Sequence, residues 1–304
     1  MRSPAEPPPT VSGRWLLAAL GISIVAAAVC CWGVLCLLFW QGSWQLLYHP
    51  KNTVKSTPAS VGLKFDAVGF WAADTGQTRL SGWWMAAEPD AAGLDATARR
   101  YTVLCLHGQD GNLGDSVDWL AELHGLGVNV FAFDYRGYGK SEFVRPSEKR
   151  WREDAEQAIQ YLTNTRHIAP DAIVLAGDQL GANLALEVAA AHPELGGVIV
   201  REPMPDAMDK VFGDARARLV PAHWLVSDRY DMDAAARALL TPSMWLIRND
   251  PLPNLDMVRK NEIYEKVTAR KMLMWVDADP ASAAKQRDEA LARWFGDLRP
   301  GAVN

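Results

Sequence analysis

Residues 173–190 read IVLAGDQLGANLALEVAA, a short apolar run, a turn with glycine at each end and an Ala-rich helical pattern. A strand-turn-helix of this kind carries the residue at its crest, Gln179, on a sharp bend. Gly177 and Gly181 flank it where a Cβ would collide with the neighbouring strand or helix. A side chain presented in this way is placed for nucleophilic attack. Gln179 is neither an alcohol nor a thiol and has no pKa that a base can exploit, so it cannot form a covalent intermediate. It can only donate and accept hydrogen bonds. Carboxylates also follow two later apolar runs, Asp250 after Met244 to Ile247 and Asp279 after Met272 to Val276. The histidines are His49, His107, His124, His167, His192 and His223, and none follows His223.

Other chemistries find less support. No Cys, His, Asp and Glu grouping has metal-ligand spacing, and no dinucleotide loop occurs; HGQDGN at 107–112 lacks the Gly-Lys-Ser/Thr ending of a phosphate loop. No cofactor and no metal are expected. A net charge of −5 argues against a nucleic-acid partner, which needs a concentrated cationic face. Cys30, Cys31 and Cys36 fall in one apolar run and Cys105 stands alone in the remainder, so no disulfide is expected within the soluble part.

The elements that must position these residues alternate apolar and amphipathic. Strands are expected at Lys64 to Trp71, Arg79 to Met85, Thr102 to Leu106, Asn129 to Phe133, Ile173 to Ala176, Gly197 to Val200, Met244 to Ile247 and Met272 to Val276. Helices are expected to begin near Ser116, Ser147, Leu180, Leu255 and Ala281. Ala-Asp-Thr-Gly-Gln between the first two strands suits a hairpin, and the later strands are separated by helical crossovers. The fold class is α/β, a mostly parallel sheet flanked by helices after an antiparallel start.

The first residues differ in character. Residues 1–14 form a polar, Pro-rich tail, and Trp15 to Trp40 is a run of 26 residues without a charge. At about 1.5 Å per residue it exceeds a hydrocarbon core of about 30 Å, which marks a transmembrane helix. A cleaved signal peptide is the competing reading. Its apolar region is normally only about 7–15 residues and ends in small residues, whereas this run ends in Leu-Leu-Phe-Trp. An uncleaved signal anchor is favoured. Arg14 abuts the run, and the next cation beyond it is Lys51, which places the N-terminus in the cytoplasm and the main domain outside. The chain then divides into the tail, the anchor at 15–40, a linker at 41–60 and one domain at 61–304 with a small cap-like stretch at 206–239.

Three segments coincide in order and spacing: the strand and Gly-rich loop LCLHGQDGN at 104–112, DYRGYGKSE at 134–142 and the Gly177 to Gly181 turn. Together they resemble the α/β-hydrolase superfamily, and DYRGYGKSE with the N-terminal anchor resembles its membrane-anchored serine-hydrolase branch. The resemblance implies an α/β-hydrolase fold over most of residues 60–298 and a G-x-S-x-G nucleophile elbow at 177–181, where this chain has Gln179. The acid of such a site would follow Met244 to Ile247. This chain reads Arg248-Asn249-Asp250-Pro251 there, a shorter loop with Arg248 where relatives keep a histidine, so Asp250 is either a remnant acid or an ordinary loop residue. The histidine would follow Met272 to Val276, where Asp277 or Asp279 falls instead. Asp279-Pro280 also reads as a helix N-cap. His107 would pack within the oxyanion loop, and Asp178, one residue early for a dehalogenase nucleophile, would point away from the pocket.

The resemblance further implies that the backbone N–H groups of Gln109 and Leu180 form the oxyanion hole. They could receive a carboxylate or carbonyl, or Gln179's own amide oxygen could fill the hole. The expected function is a membrane-anchored, non-catalytic binding or scaffold subunit with a degenerate triad at Gln179, Asp250 and Asp279. The alternatives are an esterase or amidase with a rearranged site, in which His223 could take part, and a small-molecule receptor. Partners would be the membrane through Trp15 to Trp40 and a protein subunit, with a small ligand possible. The chain has 13 tryptophans. Alternation should bury one of Trp83 and Trp84; the other, with Trp44 and Trp224, would face a membrane or partner, and Trp151 lies in an exposed-looking stretch.

Overall fold

The computed structural model of the 304-residue chain describes residues 12–72, 78–88, 101–249, 254–276 and 280–298. Helix α1 (Gly13–Gly42) starts at Ser12, whose hydroxyl accepts the Trp15 N–H at 3.3 Å. It contains the whole apolar run and is long and apolar enough to cross a membrane.

The chain then builds an eight-stranded sheet. In order come β1 (His49–Pro50), β2 (Asp66–Ala72), β3 (Thr78–Met85), β4 (Thr102–Leu106), β5 (Asp110–Gly111), α2 (Val117–Gly125), β6 (Asn129–Asp134) and α3 (Glu148–Gln160). There follow β7 (Ile173–Asp178), α4 (Leu180–Ala191), β8 (Gly197–Arg201), α5 (Asp209–Phe212), α6 (Ala222–Leu225), α7 (Met232–Ala238), β9 (Ser243–Arg248), α8 (Leu255–Lys266), β10 (Lys271–Val276) and α9 (Pro280–Asp297). The sheet order is β10-β9-β8-β7-β4-β6-β3-β2. Its pairings are parallel from β10 to β6, and β3 pairs antiparallel with both β2 and β6. The small pair β1-β5 is parallel and separate.

The expected α/β architecture is therefore present, with each expected strand matched to within a few residues. The central strands β4, β6 and β7 are apolar along nearly their whole length, as strands covered on both faces must be. This double cover also corrects the expectation for the tryptophan pair. Trp83 packs edge-on against Phe65 at 5.6 Å, whereas Trp84 packs on Phe131 at 6.5 Å beneath the Arg166 guanidinium, so both are buried. Trp151 is likewise fully buried, stacked on Tyr135 with ring centroids 4.1 Å apart. Its place is the core face of α3.

Two compact units are distinguished. The larger runs from Trp44 to Val211 and resumes at Asp228; in the smaller, α1 associates with Phe212–Ser227. Within the smaller unit the Trp32 indole N–H donates to the Leu219 carbonyl at 3.0 Å, α6 packs on α1, and His223 stacks on Phe212 at 4.1 Å. Trp224 is 91% exposed and Trp44 half-buried. The stretch at 206–239 is thus split, its middle, Phe212–Ser227, grouping with α1.

Candidate functional site

The elbow is present in full. Between β7 and α4, Gln179 adopts φ 52° and ψ −119°, a conformation that costs a non-glycine residue about 1–3 kcal/mol. Its N–H donates to the Arg201 carbonyl at 3.0 Å and its carbonyl accepts from Ala182 N at 3.0 Å, pinning the bend on both sides. A Cβ on Gly177 would overlap the Gly181 carbonyl and Ala182 Cα, and one on Gly181 would overlap the carbonyls of Leu106 and His107. Both glycines are there because β4, β7 and α4 meet with no room for a side chain.

At the crest, two amides interlock. Gln109, 2% exposed, donates through Nε2 to Gln179 Oε1 at 3.0 Å, while its Oε1 accepts the Leu180 N–H at 3.4 Å. The Leu180 N–H, at the first turn of α4, is thus occupied by Gln109 and not by Gln179's own oxygen, which corrects one of the two alternatives drawn from the sequence. Gln109 Nε2 also reaches Asp110 Oδ2 at 2.9 Å. Asp110 Oδ1 in turn lies 2.6 Å from His49 Nδ1, since the β1-β5 pairing sets those two residues opposite each other. An imidazole, a carboxylate and two carboxamides therefore form one hydrogen-bonded row leading to the crest. Nothing in the linear order of residues points to this row, because His49 stands 61 residues before its partner.

The row opens on a cavity of about 980 Å³ whose wall includes Gln109, Gln179, Arg201, Glu202, Arg248 and Lys260. Charged pairs dominate it. Arg201 Nε donates to Asp178 Oδ1 at 2.8 Å, and its guanidinium lies over the Trp119 ring at 4.2 Å. Asp178 and Arg201 face each other in register on β7 and β8. Asp178 is thus part of the cavity wall, contrary to the expectation that it points away. Glu202, at φ 45°, accepts from the Arg248 N–H and from Lys260 Nζ at 2.9 Å, and Lys260 also pairs with Asp256 at 2.7 Å. Such a wall suits a polar or charged occupant better than an acyl chain. Arg201, Glu202 and Lys260 escaped the sequence reading, although the Asp178–Arg201 pair follows once β7 and β8 are aligned as parallel neighbours.

Where the acid and base of the fold belong, β9 and β10 end side by side, with Asn249 N donating to the Val276 carbonyl at 2.8 Å. Asp250 and Asp279, with Asp277, lie outside the described residues. Among the described residues, no group of three or more His, Cys, Asp or Glu side chains is arranged to hold a metal ion.

His107, His124 and His192 are engaged in structure. His107, 3% exposed, bonds the Gly108 carbonyl through Nδ1 at 2.8 Å and packs against Tyr135, Tyr138 and Trp151. Burial lowers its pKa against the opposing pull of Asp134, so it is neutral at pH 7. DYRGYGKSE is scaffolding for this loop. Asp134 accepts from Leu113 N at 2.8 Å and from Lys140 N at 3.3 Å, and the left-handed Gly139 leaves room for its carboxylate. Arg136 Nε donates to the buried Asp154 at 2.6 Å. His192, at the end of α4, sits between Glu156 and Glu194 at 2.7 Å each. His124 bonds the Ala86 carbonyl at 2.9 Å.

Comparisons with known proteins agree with this geometry. The chain is 31% identical over 199 residues to the uncharacterized protein YfhR of Salmonella typhi, covering 61% of this chain and 63% of that one. It is 32% identical over 122 residues to the human alpha/beta hydrolase domain-containing protein 17C, covering 40% and 36%. The match thus spans less than two thirds of the length of these relatives. Among solved structures, the Pyrococcus furiosus esterase Pf2001 superposes with TM-score 0.60 at 21% identity, over 82% of this chain and 99% of that one. The α/beta hydrolase GrgF of Penicillium gives 0.61 at 14% identity, over 78% and 99%. The Hydrolase_4 family, serine aminopeptidase, S33, matches residues 97–273. With strand, elbow and DYRGYGKSE loop all inside that span, the chain belongs to the Hydrolase_4 (serine aminopeptidase, S33) family and has the α/β-hydrolase fold.

Proposed function

We propose that this protein is a membrane-anchored member of its family that binds rather than hydrolyses, with α1 as the anchor, its N-terminus cytoplasmic and the larger unit outside. The observation that carries the reading is the crest itself. Gln179 stands where the fold presents a nucleophile, its oxygen accepts from Gln109, and Gln109's own oxygen takes the Leu180 N–H. A carboxamide cannot be acylated, and a hole donor already hydrogen-bonded has nothing left for a developing oxyanion. The charged cavity in front of the row supports a polar small ligand or the polar side chains of a protein subunit as the occupant. The test is to treat the full-length protein in detergent or nanodiscs with a fluorophosphonate probe and short acyl esters. No covalent labelling and no turnover above buffer are expected; stoichiometric labelling or a burst would overturn the reading.

One observation favours a second reading, hydrolysis through a rearranged site. The His49–Asp110 pair has the hydrogen bond of a general base and its orienting carboxylate, and Asp110 lies in the cavity wall. On that reading the base would activate water directly. It requires a measurable esterase or amidase rate that His49→Ala abolishes while leaving the fold intact.

A further inference from the structure

The backbone at Leu219 is attached to α1 inside the helix's apolar run. Trp32, whose indole N–H donates to the Leu219 carbonyl, stands ten residues before Gly42, about 15 Å back along the axis. It also stands 17 residues after Trp15, about 26 Å, close to the thickness of a hydrocarbon core of about 30 Å. Trp15 and Trp32 are thus spaced to lie at the two boundaries of a bilayer, where indole rings collect. A segment bonded to Trp32 must lie at the same depth.

The composition of that segment fits the boundary. Residues 214–227 read DARARLVPAHWLVS; Asp214 pairs with Arg216 at 2.8 Å, which leaves Arg218 as the cation not matched by that carboxylate. Leu219 is 62% and Trp224 91% exposed, and Arg216 and Arg218 are exposed beside them. In water, two such large apolar side chains on two successive short helical turns would be a liability; at a membrane surface they are an attachment. Carbonyls in hydrocarbon need partners, and Trp32 supplies one where Leu219 has no helical bond of its own.

We propose that residues 215–225 form a second membrane contact, seated in the leaflet at the C-terminal side of α1, with Leu219 and Trp224 in the acyl boundary and Arg218 among lipid phosphates. The proposal rests on the reading of α1 as a membrane helix. Its occupant is the lipid bilayer, identified by continuity with α1, whose surface is apolar all round.

The full-length protein is reconstituted in vesicles of phosphatidylcholine and phosphatidylglycerol with a p-benzoylphenylalanine placed in turn at Leu20, Leu219, Trp224 and Phe143, all of them exposed positions. Illumination and mass spectrometry then read covalent lipid adducts. Adducts at Leu20, Leu219 and Trp224 and none at Phe143 are expected. Adducts at Leu20 alone overturn the proposal and leave the anchor standing, whereas adducts at none of the four overturn both. Equal yield at Phe143, or crosslinks from Leu219 and Trp224 to a second copy of the chain in place of lipid, overturn the second contact as well.

Discussion

Gln109 Nε2 donates to Gln179 Oε1 across 3.0 Å, tying the loop after β4 to the elbow after β7. With its bonds to Asp110 and Leu180 N, this side chain makes three hydrogen bonds from a buried position. At a net of about 0.5–1.5 kcal/mol each, Gln109→Ala should lower unfolding free energy by about 1.5–4.5 kcal/mol. Urea titration followed by circular dichroism measures this. A loss near zero would mean that the row is solvated and contributes nothing.

Gln179→Ser restores an alcohol at the crest but neither a base beyond β10 nor a vacant Leu180 N–H. Loss of a catalytic triad costs about 10⁶ in kcat in a serine protease, and one hydroxyl does not recover it. The variant is expected to remain unlabelled by fluorophosphonate and to show no turnover of p-nitrophenyl butyrate above buffer. Stoichiometric labelling would mean that His49 or a residue outside the described set serves as base.

Gly177→Ala forces a methyl into the Gly181 carbonyl and Ala182 Cα, both backbone atoms that cannot yield without moving β7 or α4. A cost at or above the usual 1–3 kcal/mol of overpacking is expected. Gly125→Ala, at the end of α2 with nothing within 4 Å of the new methyl, is the matched control; it should be neutral or stabilising by about 0.5 kcal/mol. Thermal melts of the pair separate a steric from a general effect.

His192 has a directional pH dependence. Partial burial disfavours its charge, but hydrogen bonds to Glu194 and Glu156 and their charges outweigh this and hold its pKa above the ordinary histidine value. The folded state therefore holds this proton more tightly than the unfolded chain does. Its contribution is complete below the unfolded value of about 6.5 and is lost as pH rises through the raised folded value. His192→Gln should flatten that part of the stability profile, measured as Tm between about pH 5.5 and pH 8.5. A profile unchanged from the parent protein would assign the slope to other groups.

Much of the fold was legible because its strands are short, apolar and bounded by turns. Ile173 to Ala176 and Gly197 to Val200 each read as strands, which the structure extends to Asp178 and Arg201, and the elbow glycines announced the tight turn after the first of them. What periodicity cannot convey is pairing across the chain. Gln109 and Gln179 stand 70 residues apart, His49 and Asp110 61 apart; the first two were legible as oxyanion-loop and crest positions, but neither side-chain bond was. Trp84 and Trp151 were misread for a related reason. Alternation gives the two faces of a strand or helix, but whether both are covered depends on what packs there, and here Arg166 and Tyr135 do.

The bond from Trp32 to Leu219 joins residues 187 positions apart, which gives it a history in time as well as in space. At a synthesis rate of about 5–20 residues per second, roughly 10–40 s separate the two residues leaving the ribosome. Throughout that interval the Leu219 carbonyl does not yet exist, so the indole N–H must take another partner in its place. The association of α1 with Phe212–Ser227 is consequently one of the late events in the maturation of the chain, completed only after the strands from β2 to β8 have been made.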